Sequence, residues 1–370
     1  VYGGIQNPLE QMERVMSCCD ENLASVPKGV KSSKEIAAPD VSRRAVLKGA
    51  AVIAGALSGT GVASAQTLKP VKLAYCSQIL CGVPYEVARS AGYWKQQGLD
   101  VELIYTRGGG AAMQALVGGA VDYAATALDV AIQAYSKGAE IRRFAVTGRL
   151  PLFALVTTPK SADKIRTVKD LEGKTVGVSA LGNADHALLL FLLKQANADT
   201  NSVQFATLGV NLLEAVRRGD VDAGLVQEPA LSILQKEGSR VIMNAMDTND
   251  ADKFLGGAYE FMGVSVRAKE FEERREDMTR IVKGLADALK GLRQLSGEQL
   301  VASFPKEMMT GLDTKQLGEI LVRYRSSLYP ESVRIDADAV KRVADSLAVG
   351  GLIKPGTNIA GLHDTSIAGG

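Results

Sequence analysis

The residues whose types and spacing could do chemistry are densest in residues 174–193, KTVGVSALGNADHALLLFLL. Thr175, Val176 and Val178 have the β-branched character of a buried strand, and 187–193 is a run of helix formers. Between them Ser179, Gly182 and Asn183 make a small-residue turn, with Asn183 placed to cap the helix. Such a cap leaves the amides of Ala184, Asp185 and His186 pointing outward. With the positive end of the helix dipole they would suit an anionic or strongly polar group without a basic side chain. The same pattern also describes an ordinary strand-to-helix turn of an α/β protein.

Motifs of catalysis fail elsewhere in the chain. Glu172-Gly173-Lys174-Thr175 resembles the end of a phosphate-binding loop, but the glycine that such a loop needs upstream is Val168. There is no HExxH, no GxSxG and no zinc-type cluster, and the two histidines, His186 and His363, stand far apart; His186 reads as a wall residue. No catalytic residue, metal or cofactor is therefore expected. Cys18 and Cys19 lie near the start, whereas Cys76 and Cys81, five positions apart, follow the first strand of the folded part; spacing leaves a disulfide and two free, small apolar residues equally open.

The elements that position these residues are set by composition and periodicity. At 370 residues, 46% hydrophobic and 23% charged, the chain has an ordinary α/β composition with length for two lobes. A net charge of +2 gives no basic face for nucleic acid. Residues 1–40 show no periodic pattern and are expected to be a disordered extension. Ser42-Arg43-Arg44-Ala45-Val46-Leu47-Lys48, the mild apolar stretch 49–62 and Ala63-Ser64-Ala65 resemble a twin-arginine export signal with a small-x-small cleavage site before Gln66. The folded remainder is then expected to be periplasmic.

From 71 onward, strands at 71–75 and 101–105 alternate with helices, which predicts mainly parallel sheets flanked by helices with functional loops at the carboxyl ends of strands. Ala115-x-x-x-Gly119-x-Val121-Asp122 recurs as Ala215-x-x-x-Gly219-x-Val221-Asp222, offset by 100 residues, which favours two lobes of related design with a cleft between them. The chain crosses within 144–157, around Arg149-Leu150-Pro151, and returns near 256–266 after Gly256-Gly257. The expected organisation is an extension with signal peptide at 1–65, a discontinuous first lobe at 66–158 and 256–370, and a second lobe at 159–255. From 268 the amphipathic spacing of Met278, Ile281, Val282, Leu285, Leu289 and Leu292 reads as packing helices.

Several blocks between residues 72 and 347 together resemble a known family. They are Gly-Tyr-Trp-Lys-x-x-Gly-Leu-Asp-Val at 92–101, Gly108 to Gly110, Gly119-x-Val121-Asp122, Val168-x-Asp170-Leu171-x-Gly173-Lys174-x-Val176, Gly182-Asn183, and Gly219-Asp220-Val221-Asp222-Ala223 leading to Glu228-Pro229. The family is the periplasmic substrate-binding proteins of the type II fold that serve ABC importers of nitrate, taurine, alkanesulfonates and pyrimidine precursors of thiamine. Gln227 stands where many relatives carry an aromatic, and the 179–186 turn has no lysine or arginine.

The resemblance implies a two-lobed α/β fold and ligand contacts from Ser77, Gln78, Gly109, Gly110, Thr126 and Asp129. Across the cleft it implies Ser179, Gly182, Asn183 and His186, with Gln227 and Glu228 at the far wall and Tyr259 closing over the ligand. Asp129 and Glu228 read equally as helix caps, and Arg107 and Arg149 as solvated charges. The implied function is that of a monomeric solute-binding component that captures a small polar organic ligand by hinge closure and hands it to a membrane permease. The alternative it leaves is an enzyme on the same fold, since chorismate-processing enzymes of menaquinone synthesis and a yeast pyrimidine synthase use it.

Overall fold

A computed structural model describes residues 67–76 and 79–368. The extension, the export signal, Ser77 and Gln78 lie outside the described residues. The chain opens with β1 (Lys69–Cys76), α1 (Ile79–Ser90), the single turn α2 (Tyr93–Gln96), β2 (Leu99–Thr106), α3 (Gly109–Val117), β3 (Tyr123–Ala127), α4 (Leu128–Ser136) and β4 (Ile141–Val146). A second series follows: β5 (Ala154–Thr157), β6 (Thr175–Val178), α5 (Ala184–Gln195), β7 (Gln204–Thr207), α6 (Leu212–Arg218), β8 (Ala223–Val226), α7 (Ala230–Lys236), β9 (Val241–Asn244) and α8 (Thr248–Leu255). The chain then returns through β10 (Met262–Arg267) and ends in α9 (Arg275–Leu292), α10 (Gly297–Ala302), α11 (Thr314–Leu328) and α12 (Ala337–Val349). None of these helices is long and apolar enough to cross a membrane.

Two five-stranded sheets result, ordered β2-β1-β3-β10-β4 and β7-β6-β8-β5-β9. Position for position the orders match: β6 stands for β1, β7 for β2, β8 for β3, β5 for β10 and β9 for β4. In each sheet four strands run one way and one, β10 or β5, runs against its neighbours. That reversed strand is the one each crossing delivers into the interior of the other sheet. β5 pairs with β8 and β9, so the first crossing lies within 147–153, ahead of the expected boundary at 158. Residues 154–157 are apolar enough for either sheet, and hydropathy carries no record of which one receives them.

The 100-residue echo has a structural counterpart. Gly119 and Gly219 both adopt a left-handed backbone at φ 80°, and the next amides close the helix ends, Ala120 N onto Ala115 O and Asp220 N onto Ala215 O, each at 2.9 Å. Each aspartate then ties the central strand that follows it, β3 or β8, to its neighbour β1 or β6. Asp122 donates its amide to Lys72 O at 3.0 Å and accepts from Lys72 N through Oδ2 at 2.8 Å. Asp222 does the same with Thr175, at 2.8 and 3.0 Å.

The second crossing is clamped from beneath. Arg143 of β4 is fully buried, pairs with Glu260 through Nε at 2.8 Å, and donates to the carbonyls of Thr126, Gly263 and Phe261. Gly263 leaves room for this guanidinium, since a Cβ there would lie 2.4 Å from Arg143 Nη2. Of the closing helices, α9 buries the apolar stripe read from sequence, with Gly284 admitting the Trp94 ring. α12 packs against both α4 and α5, and so touches each lobe.

Candidate functional site

The loops at the carboxyl ends of β1, β3, β6 and β8 face one another and enclose a cavity of about 40 Å³, room for only one or two waters. Cys76, Cys81, Gly108, Gly109 and Val130 wall it from the first sheet, and Ser179, Asn183, Asp185 and Gln227 from the second. Phe153 and Phe261, one from each crossing, lie in edge-to-face contact at 5.9 Å between ring centres and form its floor. A second hollow of about 250 Å³ shares Phe153, Ser179, Asp185 and Gln227 with it and extends to Gly209, Glu228 and Pro229. A larger groove of about 860 Å³ between α10 and α11 is built by the C-terminal helices alone. The smaller cleft is the candidate site, because both halves of the repeated design converge there.

The turn after β6 is organised by Asp185. Its carboxylate is 1% exposed and accepts the Ser179 amide, as well as the Ser179 hydroxyl at 2.8 Å. Asn183 precedes α5, but its side chain makes no capping bond; Nδ2 donates to Ser179 Oγ at 3.1 Å. Gly182, at φ 82°, donates its amide to His186 Nδ1 at 3.2 Å. Burial lowers the His186 pKa, and the neutral ring rests edge-on against Phe205.

Contacts run directly from lobe to lobe. Gln133 Nε2 of α4 donates to Gly182 O at 3.1 Å. Gly108 (φ 100°) and Gly110 lie against Asn183, where a Cβ on either glycine would come within 3.1 Å of Nδ2 and 3.4 Å of Oδ1 respectively. These glycines let the backbone of the first lobe approach the turn of the second.

The electrostatics correct the sequence reading of the α5 N-terminus. The amides there were expected to await an anionic group, yet the chain's own Asp185 carboxylate occupies that end. Burial pushes the Asp185 pKa up, while hydrogen bonds from the Ser179 amide and hydroxyl and from the His186 amide pull it back. No lysine or arginine lines either hollow among the described residues. Arg107 and Arg149 are exposed, as solvated charges should be. A second anion brought into the cavity would meet the buried Asp185 carboxylate, and the cation beside the adjoining hollow, Arg323, already lies 4.0 Å from Glu228.

The structure brings Gly109, Ser179, Asn183 and Gln227 together at the cavity, with Gly110 and Gly182 at its edge. Glu228 faces only the adjoining hollow; it caps α7 by accepting Ser232 N at 3.0 Å and Ser232 Oγ at 2.9 Å, and burial raises its pKa. Thr126, Asp129 and Tyr259 lie behind the wall instead. The Tyr259 hydroxyl donates to Asp129 Oδ1 at 2.8 Å and lies 3.2 Å from Ser346 Oγ of α12. Asp129 Oδ2 and Thr126 Oγ1 are buried without hydrogen-bond partners. His186 is set behind the turn and does not line either hollow.

Sequence reading missed Asp185, Phe153, Phe261, Gln133 and the place of Cys76 and Cys81 in the wall. An aspartate inside the first turn of an apolar helix was the one signal available. Among the described residues no group of three or more His, Cys, Asp or Glu could hold a metal ion.

Comparison with known proteins agrees with the fold. A family model described as NMT1/THI5 like matches residues 83–290, more than half of the chain. A protein of Bordetella bronchiseptica RB50 is 21% identical, covering 81% of this chain and 95% of its own, with a TM-score of 0.71. The alkanesulfonate-binding protein of Xanthomonas axonopodis pv. citri, bound to MOPS, is 18% identical over 80% of this chain and 98% of its own, with a TM-score of 0.64. The desulfurization enzyme DSZB is 16% identical over 81% and 97%, with a TM-score of 0.55. At these identities the likeness is one of fold. No curated protein matches the sequence.

Proposed function

The chain belongs to the NMT1/THI5-like family and has the periplasmic-binding-protein fold, and from that premise we propose that it is a solute-binding protein of an ABC importer. It captures one small polar organic molecule between its lobes and delivers it to a membrane permease from the periplasm. The observation that carries this reading is the cavity built by the matching ends of two like sheets, with Gly108 and Gly110 against Asn183. At about 40 Å³ it is far smaller than the roughly 300 Å³ of ordinary ligand pockets, so a solute enters when the lobes part and is sealed when they close. Closure is favoured by the solute because only the closed form contacts it from both sides.

The site chemistry selects among solutes. Asp185 and Glu228 are acceptors, Asn183 and Gln227 both donate and accept, and the floor is aromatic. That set fits a neutral, donor-bearing heterocycle of the pyrimidine kind better than nitrate or a sulfonate. In a thermal-shift titration of the full chain, a neutral aminopyrimidine at 100 times its dissociation constant should add about 2.7 kcal/mol of stability. Nitrate and ethanesulfonate should add none; stabilisation by either anion overturns the ligand assignment. A panel member converted to product in the same tube would decide for the enzyme reading that the likeness to DSZB keeps in view.

A further inference from the structure

Cys76 ends β1 and Cys81 lies in the first turn of α1, so two rigid elements bring the side chains to one wall. Both are buried, at 7% and 4% exposure, and both line the 40 Å³ cavity opposite Ser179, Asn183 and Asp185. The two side chains share this small wall and are not joined as a disulfide. Two cysteines on one wall of so small a cavity are placed to approach to the roughly 2.05 Å of a sulfur–sulfur bond.

We propose that Cys76 and Cys81 form an oxidisable dithiol built into the ligand cleft, converted to a disulfide by exchange with a small-molecule disulfide such as oxidised glutathione. One thiolate attacks the oxidant's disulfide and expels a glutathione thiolate. The second cysteine then attacks the mixed disulfide and expels the other. One sulfur–sulfur bond forms in the protein and one breaks in the oxidant. The two thiol protons and two electrons leave with two molecules of reduced glutathione.

The surroundings set the conditions of this exchange. The neighbouring Cys76 and burial hold the Cys81 thiol well above its ordinary pKa, so attacking thiolate is scarce while the lobes are closed. A cavity of about 40 Å³ does not admit glutathione. Oxidation therefore proceeds through the open form. It removes thiol donors from the cavity wall and draws the end of β1 toward the start of α1.

The test uses the full chain equilibrated with a 100-fold excess of oxidised glutathione, quenched in acid, denatured, alkylated and digested with trypsin. Cleavage after Lys72 and Arg89 puts both cysteines in one peptide, and Cys18 with Cys19 in another. The expected product is the 73–89 peptide two hydrogens lighter and unalkylated, while Cys81→Ser leaves Cys76 as a mixed disulfide. A doubly alkylated 73–89 peptide from the wild type overturns the proposal, as does a wild-type peptide carrying glutathione on either cysteine.

Discussion

Asp129→Asn should raise the stability of the protein in neutral solution relative to acid, against the usual effect of removing a buried hydrogen-bonded carboxylate. Asp129 is 2% exposed; Oδ1 accepts the Tyr259 hydroxyl at 2.8 Å and Oδ2 has no hydrogen-bond partner. Burial raises its pKa to about 6, outweighing the Tyr259 bond and the field of Arg143. An aspartate in the unfolded chain titrates near 3.9. Between these values the folded state binds the extra proton, so this group's contribution falls as pH rises and its full cost is present above the folded value. Roughly two pKa units at 1.36 kcal/mol each give about 3 kcal/mol. Asparagine keeps the Oδ1 acceptor and never ionises, but leaves its amide unpaired at a cost of about 1–3 kcal/mol at every pH. The informative quantity is the pH dependence of the difference. Urea unfolding of both proteins at pH 4, where part of the unfolded aspartate is already ionised, and at pH 7 should show the variant gaining about 2 kcal/mol on the wild type. A difference unchanged with pH, or one that moves the other way, refutes the reasoning. Solute affinity should stay within threefold, because Asp129 lies behind the cavity wall.

Asn183→Ala should weaken solute binding by about 1–3 kcal/mol in a calorimetric titration while leaving the melting temperature nearly unchanged, since Asn183 faces the cleft and caps nothing. Asp185→Asn should let nitrate or ethanesulfonate register in the thermal-shift assay, by removing the carboxylate from the α5 N-terminus. Arg143→Met should cost about 3–5 kcal/mol in urea unfolding by stranding Glu260, and combination with Glu260→Met should recover part of the loss.

The parts of this architecture carried by local pattern were legible before any coordinates. The strand, turn and helix at 174–193, the amphipathic stripe of α9 and the paired Gly119/Asp122 and Gly219/Asp222 signatures are all local, and the structure shows each in place. What local pattern does not encode is which distant partner a buried residue meets. Residues 154–157 could serve either sheet, and only pairing with β8 assigns them. Asn183 looked like a cap because its type and position suit one, yet Ser179 and the opposite lobe hold its side chain. Asp129 and Tyr259, 130 positions apart, satisfy one another behind the cleft. Asp185 was read only for its amide, since nothing in sequence shows a carboxylate folding back to Ser179, the residue just past the preceding strand.

The central claim is that a solute is held between two lobes that close on it. Small-angle X-ray scattering of the full chain, alone and with the solute giving the largest thermal shift, tests it most directly. The radius of gyration should fall on binding, as an open cleft gives way to the closed one in which Gln133 bonds to Gly182 O. A solute that stabilises the protein while leaving the radius of gyration unchanged would contradict capture by closure.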